Sequence, residues 1–202
     1  TNKSTRMSNK ILVIEDNEEM CENIASILKL AHYDVIKALN GKVGVELVQQ
    51  QHPDLILCDV MMPELDGYGV LHLLNKNPEL TGIPFIFLTA KAERSDFRRG
   101  MEMGADDYIT KPIKPKLLVS KVKALLRRLK EQDQNSETLN VGGIEINREE
   151  YKIVKDNIEI ALPRKEFELF YLLASKPGKV FKREEILDKV WGNDVVVGGR
   201  TI

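Results

Sequence analysis

The chain has 202 residues, 43% of them hydrophobic, which is enough for two small domains with packed cores. Its net charge is −1 at pH 7, so the whole chain shows no bias toward nucleic acid, although a local basic element remains compatible with it. No apolar stretch of about 18 residues occurs, so no membrane span is predicted. Cys21 and Cys58 lie in apolar stretches without metal-ligand spacing. This predicts reduced core thiols in a cytoplasmic protein.

Residues 1–8 are polar, and those before Met7 are interpreted as a cloning remnant. Five short apolar runs follow, separated by segments with helical periodicity. The runs, which are predicted strands, are Ile11–Ile14, Tyr33–Ile36, Leu55–Cys58, Phe85–Leu88 and Asp107–Ile109. Runs that are apolar throughout indicate strands buried on both faces, as in parallel sheets. Residues 9–130 are therefore predicted to form an α/β domain with a five-stranded, parallel, doubly wound sheet.

A polar stretch at 131–138 is predicted to be a linker, and the pattern changes after it. Short strand-like pieces follow, separated by the turn formers Gly142-Gly143 and Asp156-Asn157. Pro163 is predicted to open a helix, and Lys182 to Trp191 to form another. Residues 139–202 thus predict a second, α+β domain.

Polar side chains follow four strands of the first predicted sheet at the point where each strand ends. They are Glu15, Asp16, Asp59, Thr89 and Lys111. Open α/β sheets place their sites at the carboxyl ends of the strands, so these side chains should meet. Three carboxylates repel one another unless a cation lies between them, and ligands made of oxygen alone favour Mg²⁺ or Mn²⁺. A metal, a lysine and a hydroxyl beside a carboxylate are suited to phosphoryl transfer.

The segments that carry these residues resemble the receiver domain of bacterial two-component response regulators. They are Ile14-Glu15-Asp16, Cys58 to Pro63 with Gly67, Thr89-Ala90, and Gly104 to Pro112. The resemblance covers roughly Met7 to Lys130 and implies a flavodoxin/CheY-like fold. It also implies that Asp59 accepts a phosphoryl group from the phosphohistidine of a sensor histidine kinase.

The same resemblance implies roles for the neighbouring residues. Glu15, Asp16 and Asp59 would bind Mg²⁺ with help from the backbone carbonyl of Met61. Lys111 would pair with the phosphoryl oxygens and precede a cis peptide bond to Pro112. Thr89 and Tyr108 would form a switch, in which the hydroxyl moves toward the phosphate and the ring turns into the vacated space.

In regulators of this type, a face around the fifth strand carries ion pairs across a homodimer that forms on phosphorylation. The matching positions here are Phe97, Asp106, Asp107, Leu117, Lys121 and Arg128. Phe97 and Leu117 stand where a basic–acidic pair is expected, which predicts an apolar contact in its place. The alternative is a local apolar patch, with a weak or different dimer.

The second domain resembles the first part of the OmpR/PhoB winged-helix family, which binds DNA. Gly199-Arg200-Thr201-Ile202 resembles the start of the recognition helix, so Arg200 and Thr201 are candidate DNA contacts, and the rest of that helix is expected to be missing. Leu139–Ile202 contains eleven Lys or Arg and eleven Asp or Glu residues, so its net charge is zero. We expect weak or absent DNA binding by this chain, and a domain that is loose or borrows contacts from a partner chain.

The leading hypothesis is therefore a phosphorylation-dependent transcription regulator. An alternative is a signalling adaptor that acts through protein contacts without DNA. A metal-dependent phosphatase would need an acid–base Asp two residues after the nucleophile, where this chain has Met61. We therefore predict no enzyme activity beyond slow self-phosphorylation and self-dephosphorylation at Asp59.

Overall fold

The computed structural model describes residues 8–77, 80, 82–90, 103–133, 138–148 and 150–191. The first domain contains a parallel sheet of five strands in the order β2-β1-β3-β4-β5. The strands are β1 (Lys10–Ile14), β2 (Asp34–Ala38), β3 (Leu55–Asp59), β4 (Phe85–Thr89) and β5 (Asp107–Thr110). The predicted doubly wound fold is confirmed, and each strand lies within two residues of its predicted bounds.

Four described helices accompany this sheet. They are α1 (Glu18–Leu30), α2 (Gly41–Gln51), α3 (Gly67–Asn75) and α4 (Pro115–Asp133). The first three begin after an Asn or Asp whose side chain accepts an N–H from the first turn, which fixes their starting residues. Helix α4 continues through Glu131 to Asp133, so the polar stretch predicted as a linker begins as helix.

Two apolar clusters cover the two faces of the sheet. One joins β1 and β3 to α1 and α4, and the other packs α2 and α3 against the opposite face. Strands β1, β3 and β4 are buried almost throughout, as their apolar sequences predict. The expectation of two buried faces is wrong for β2, which lies at the sheet edge and is largely exposed or half-buried.

The second domain begins with an antiparallel sheet of four strands, β6 (Leu139–Val141), β7 (Ile144–Asn147), β8 (Lys152–Lys155) and β9 (Ile158–Ile160). Both predicted two-residue turns are present, and all four of their residues have positive φ. Helices α5 (Arg164–Ala174) and α6 (Arg183–Trp191) follow. Pro163 is the N-cap of α5, so the helix begins one residue later than predicted.

Phe167 is fully buried in a small core between the second sheet and α5. The end of α6 behaves differently, because Val190 and Trp191 belong to the apolar cluster of the first domain. The second domain therefore borrows contacts from the first domain of the same chain. Within the described residues, no helix is both long and apolar enough to cross a membrane.

Candidate functional site

The carboxyl ends of β1 and β3 bring the predicted acidic residues together. These strands are neighbours and pair Ile14 with Cys58, so the residues that follow meet at one edge. One carboxylate oxygen from each of Glu15, Asp16 and Asp59 lies within 4.8 Å of the others. Glu15 and Asp59 are only 1% and 4% exposed, whereas Asp16 is open to solvent. Hard divalent cations prefer such a set of oxygen ligands, so the cluster could hold a metal ion.

Lys111, which follows β5, bridges the two buried carboxylates. Its Nζ lies 2.7 Å from Glu15 Oε2 and 3.1 Å from Asp59 Oδ1. The peptide bond between Lys111 and Pro112 is cis, as predicted. Among the described residues, the cluster thus sets three carboxylates against this one ammonium.

The pKa directions reflect that imbalance. Burial raises the pKa of Glu15 and of Asp59, and the Lys111 ammonium offsets this only in part. Burial would lower the pKa of Lys111, but the two carboxylates outweigh it and the pKa is raised. A second cation at this edge would relieve the carboxylates, which is the electrostatic condition for metal binding.

Three neighbouring residues hold the acidic side chains in place. Backbone amides of Asn17 and Met61 donate to the carboxylates of Glu15 and Asp59, respectively. Gly67 begins α3 against β3, and a Cβ there would overlap the carbonyl oxygen of Asp59. The amide donors were not foreseen, because backbone direction at the end of a strand leaves no signal in residue type.

The two predicted switch residues lie on adjacent strands. Thr89 ends β4 and is 4% exposed, next to Thr110 at the end of β5. Tyr108 is also buried, and its ring centroid lies 5.4 Å from that of Phe87 on β4. Their roles in switching remain predictions.

The residues of the predicted dimer face have different surroundings in this structure. Asp107 pairs with Lys121 at 2.6 Å within the chain, and Leu117 is exposed on α4. Asp106 requires a correction, because it is buried against Arg164 and Lys165 of the second domain and is not on an open face. Phe97 and the side chain of Arg128 lie outside the described residues, as do the candidate DNA contacts Arg200 and Thr201.

The fold and the carboxylate cluster define the class of receiver-domain proteins, and the comparisons with known proteins agree. A family model described as the response regulator receiver domain matches residues 11–123. A second, described as the C-terminal part of transcriptional regulatory proteins, matches residues 157–202.

Relatives match most of the chain. A probable transcriptional regulator ycf27 of Porphyridium aerugineum is 39% identical over 91% of this chain and 77% of its own length. The phosphate regulon transcriptional regulatory protein PhoB of Rhizobium meliloti is 38% identical over 96% of this chain and 85% of its own. The chain therefore belongs to the OmpR/PhoB family of two-component response regulators.

Solved structures give the same picture. A receiver domain of a histidine kinase from Syntrophus aciditrophicus is 38% identical, with a TM-score of 0.57 over 67% of this chain and 99% of its own. A mutant of RitR is similar over 95% of this chain and 83% of its own, with a TM-score of 0.79 and 22% identity. The latter likeness concerns the two-domain fold alone.

Proposed function

We propose that Asp59 is the phosphoacceptor through which this response regulator is controlled, and that a sensor histidine kinase supplies the phosphoryl group. The observation that supports this best is the pairing of buried Asp59 with Lys111, beside two further carboxylates. A nucleophilic carboxylate needs neighbouring positive charge when an anionic phosphoryl group approaches it. Family membership supports the same assignment.

Mg²⁺ is the proposed metal, held by Glu15, Asp16 and Asp59 with the backbone carbonyl of Met61. The oxygen-only ligand set fits Mg²⁺, and Mn²⁺ would fit it as well. When bound, the ion would supply positive charge to the phosphoryl oxygens. The exposure of Asp16 supports entry of the ion from solvent.

Residues of this chain would carry out the phosphoryl transfer and the response to it. An Asp59 oxygen attacks phosphorus as the P–N bond to the kinase histidine breaks, and a P–O bond forms. Lys111, already 3.1 Å from Asp59, would then pair with a phosphoryl oxygen. Thr89 would donate its hydroxyl to the same group, and Tyr108 would respond on the adjacent strand. Self-phosphorylation and slow self-hydrolysis at Asp59 are the only reactions proposed.

The output would be control of transcription in the cytoplasm through DNA contacts of the second domain. The match to the C-terminal part of transcriptional regulatory proteins supports this over an adaptor that works without DNA. Phosphorylation would also favour a homodimer through the face that includes Asp107, Leu117 and Lys121.

The test is phosphoryl uptake from labelled acetyl phosphate by the purified chain. We expect label in the native chain with Mg²⁺, little without it, and none in Asp59→Asn. Asp66→Asn is a matched control, because Asp66 caps α3 and lies outside the carboxylate cluster. Label retained by Asp59→Asn would refute the assignment.

A further inference from the structure

A second buried charge cluster lies between the two domains, away from the carboxylate edge. Asp106, which precedes β5 at the amino-terminal edge of the sheet, is 1% exposed, and Arg164 and Lys165 at the start of α5 are each 3% exposed. The Arg164 guanidinium donates to Asp106 Oδ1, and Lys165 Nζ lies 2.9 Å from the same oxygen. Two cations of the second domain thus converge on one carboxylate of the first.

The receiver holds this carboxylate in position. Asp106 Oδ2 accepts the backbone N–H of Phe85 at 2.9 Å, and the Asp106 N–H donates to the Phe85 carbonyl at 2.8 Å. Both bonds tie Asp106 to the first residue of β4. The acceptor is therefore fixed before the second domain docks, which reduces the entropy lost on docking.

The cations are held equally firmly on their own side. Arg164 donates to the Tyr151 hydroxyl at 3.2 Å, and the same hydroxyl donates to Glu168 at 2.8 Å. Lys165 donates to the Val190 carbonyl at 2.7 Å, and its ammonium lies 5.9 Å from the centre of the Trp191 ring. Lys165 therefore connects the charge cluster directly to the end of α6.

Apolar packing surrounds the ion cluster. Trp191, 3% exposed, belongs with Val190 to the apolar cluster that contains Phe85 of the receiver. The Tyr151 ring lies so close to Gly82 that a Cβ on Gly82 would come within 2.9 Å of it. Such packing excludes water, so loss of the Asp106 charge would remove an anion that both buried cations contact, although Glu168 stays 3.7 Å from Arg164.

We propose that Asp106, Arg164 and Lys165 form an ionic latch that keeps the second domain docked on the receiver, an autoinhibitory contact that must open before that domain can reorient. Docking immobilises the end of α6, which leads into the segment with the candidate DNA contacts. The docked form also uses Asp106, so it excludes any dimer that requires this carboxylate. These two consequences rest on the proposed function, whereas the latch itself does not.

The chain provides its own reporter, because Trp191 is its single tryptophan. Asp106→Asn keeps an oxygen for the Phe85 N–H and replaces Oδ1, the charged oxygen that faces Arg164 and Lys165, with an amide NH2 that cannot accept from them. Loss of a buried partner should lower the docked-to-open ratio by at least about 100-fold. We expect a red-shifted Trp191 emission and several-fold stronger quenching by acrylamide. Asp107→Asn is the matched control, because Asp107 pairs with Lys121 inside the receiver, and it should leave emission unchanged.

A cross-link tests the docked arrangement without disturbing Asp106. An ideal Cβ on Gly82 lies 3.6 Å from the Cβ of Tyr151, within the disulfide range. Gly82→Cys/Tyr151→Cys should therefore oxidise to an intramolecular disulfide, and adding Asp106→Asn should slow its formation.

The outcomes separate the latch from the phosphoacceptor proposal. Exposed Trp191 in Asp106→Asn, with phosphoryl uptake at Asp59 retained, supports the latch. If Asp106→Asn fails to fold, Arg164→Gln takes its place, since it leaves the receiver sequence intact and should expose Trp191 in the same way. A Trp191 that stays shielded in both variants, or a disulfide that forms at the same rate with and without Asp106→Asn, would overturn the latch and leave the Asp59 assignment untouched.

Discussion

Replacing Lys111 with Met tests the electrostatic account of the carboxylate cluster most severely. The change removes the Lys111 ammonium, which contacts both Glu15 and Asp59, at 2.7 and 3.1 Å, and keeps most of the side-chain volume. Breaking a buried ion pair costs about 3–5 kcal/mol when its partner stays charged. A carboxylate can avoid part of that cost by taking up a proton. The free energy of protonation at a given pH is therefore an upper limit on the loss of stability.

The limit follows from the ordinary glutamate pKa of 4.5. Protonating Glu15 at pH 7 costs about 1.4 kcal/mol for each of 2.5 pH units, or about 3.4 kcal/mol, and at pH 6 about 2 kcal/mol. The pKa of Glu15 is already raised and would rise further, so the folded variant binds more protons than the unfolded chain. Its stability deficit should therefore shrink as pH falls from 7 toward 5. Mg²⁺ should reduce the deficit as well, by returning positive charge.

Thermal unfolding of the native chain and Lys111→Met at pH 7 and pH 6, with EDTA or with Mg²⁺, measures these effects. A loss of about 3 kcal/mol corresponds to a fall in melting temperature of roughly 10 °C for a domain of this size. Lys121→Met is the matched control, because its partner Asp107 lies outside the cluster and should give a smaller loss that Mg²⁺ does not change. A Lys111→Met deficit that is equal at both pH values and insensitive to Mg²⁺ would show that Lys111 does not offset the charge of the two carboxylates.

Three further predictions concern other parts of the chain. Gly67→Ala should push α3 away from the Asp59 carbonyl, lowering both melting temperature and the rate of phosphoryl uptake; unchanged uptake would contradict the close contact. Burial raises the pKa of Cys21 to about 11 and that of Cys58 well above its usual value, so about 0.1% of Cys21 is thiolate at pH 8. Neither thiol should react with a disulfide reagent until the chain is denatured, and rapid labelling of the folded chain would argue against their burial. In gel shifts this chain should bind DNA weakly, because Leu139–Ile202 carries no net charge; a tight, sequence-specific shift would contradict that expectation.

The first domain was largely predictable because its signals are local. Apolar runs mark the strands, and the tendency of α/β sheets to place functional polar residues at the carboxyl ends of strands predicts that Glu15, Asp59 and Lys111 meet. The low burial of β2 was not predicted, since Val35 and Ile36 are apolar whether one face of the strand or two are covered. The length of α4 was missed because Lys130, Glu131 and Gln132 have high helix propensity but no apolar periodicity.

The contact between the domains could not be predicted in the same way. Asp106 and Arg164 are 58 residues apart, and Asp106 lies in the receiver motif Gly104 to Pro112, which predicts a place on the dimer face. A charged side chain is ordinarily assigned to the surface, so nothing in residue type indicates that Lys165 is buried. Only the docking of one domain on the other shows that the Asp106 carboxylate meets two cations of the second domain.

If Asp59 is the phosphoacceptor, charge gained there should change the state of the second domain. Trp191 emission before and after acetyl phosphate and Mg²⁺, compared with Asp59→Asn, measures that link directly. We predict a red shift and stronger quenching in the native chain once intact mass shows one added phosphoryl group, and no change in the variant. A phosphorylated native chain whose Trp191 spectrum and quenching stay the same would contradict the account.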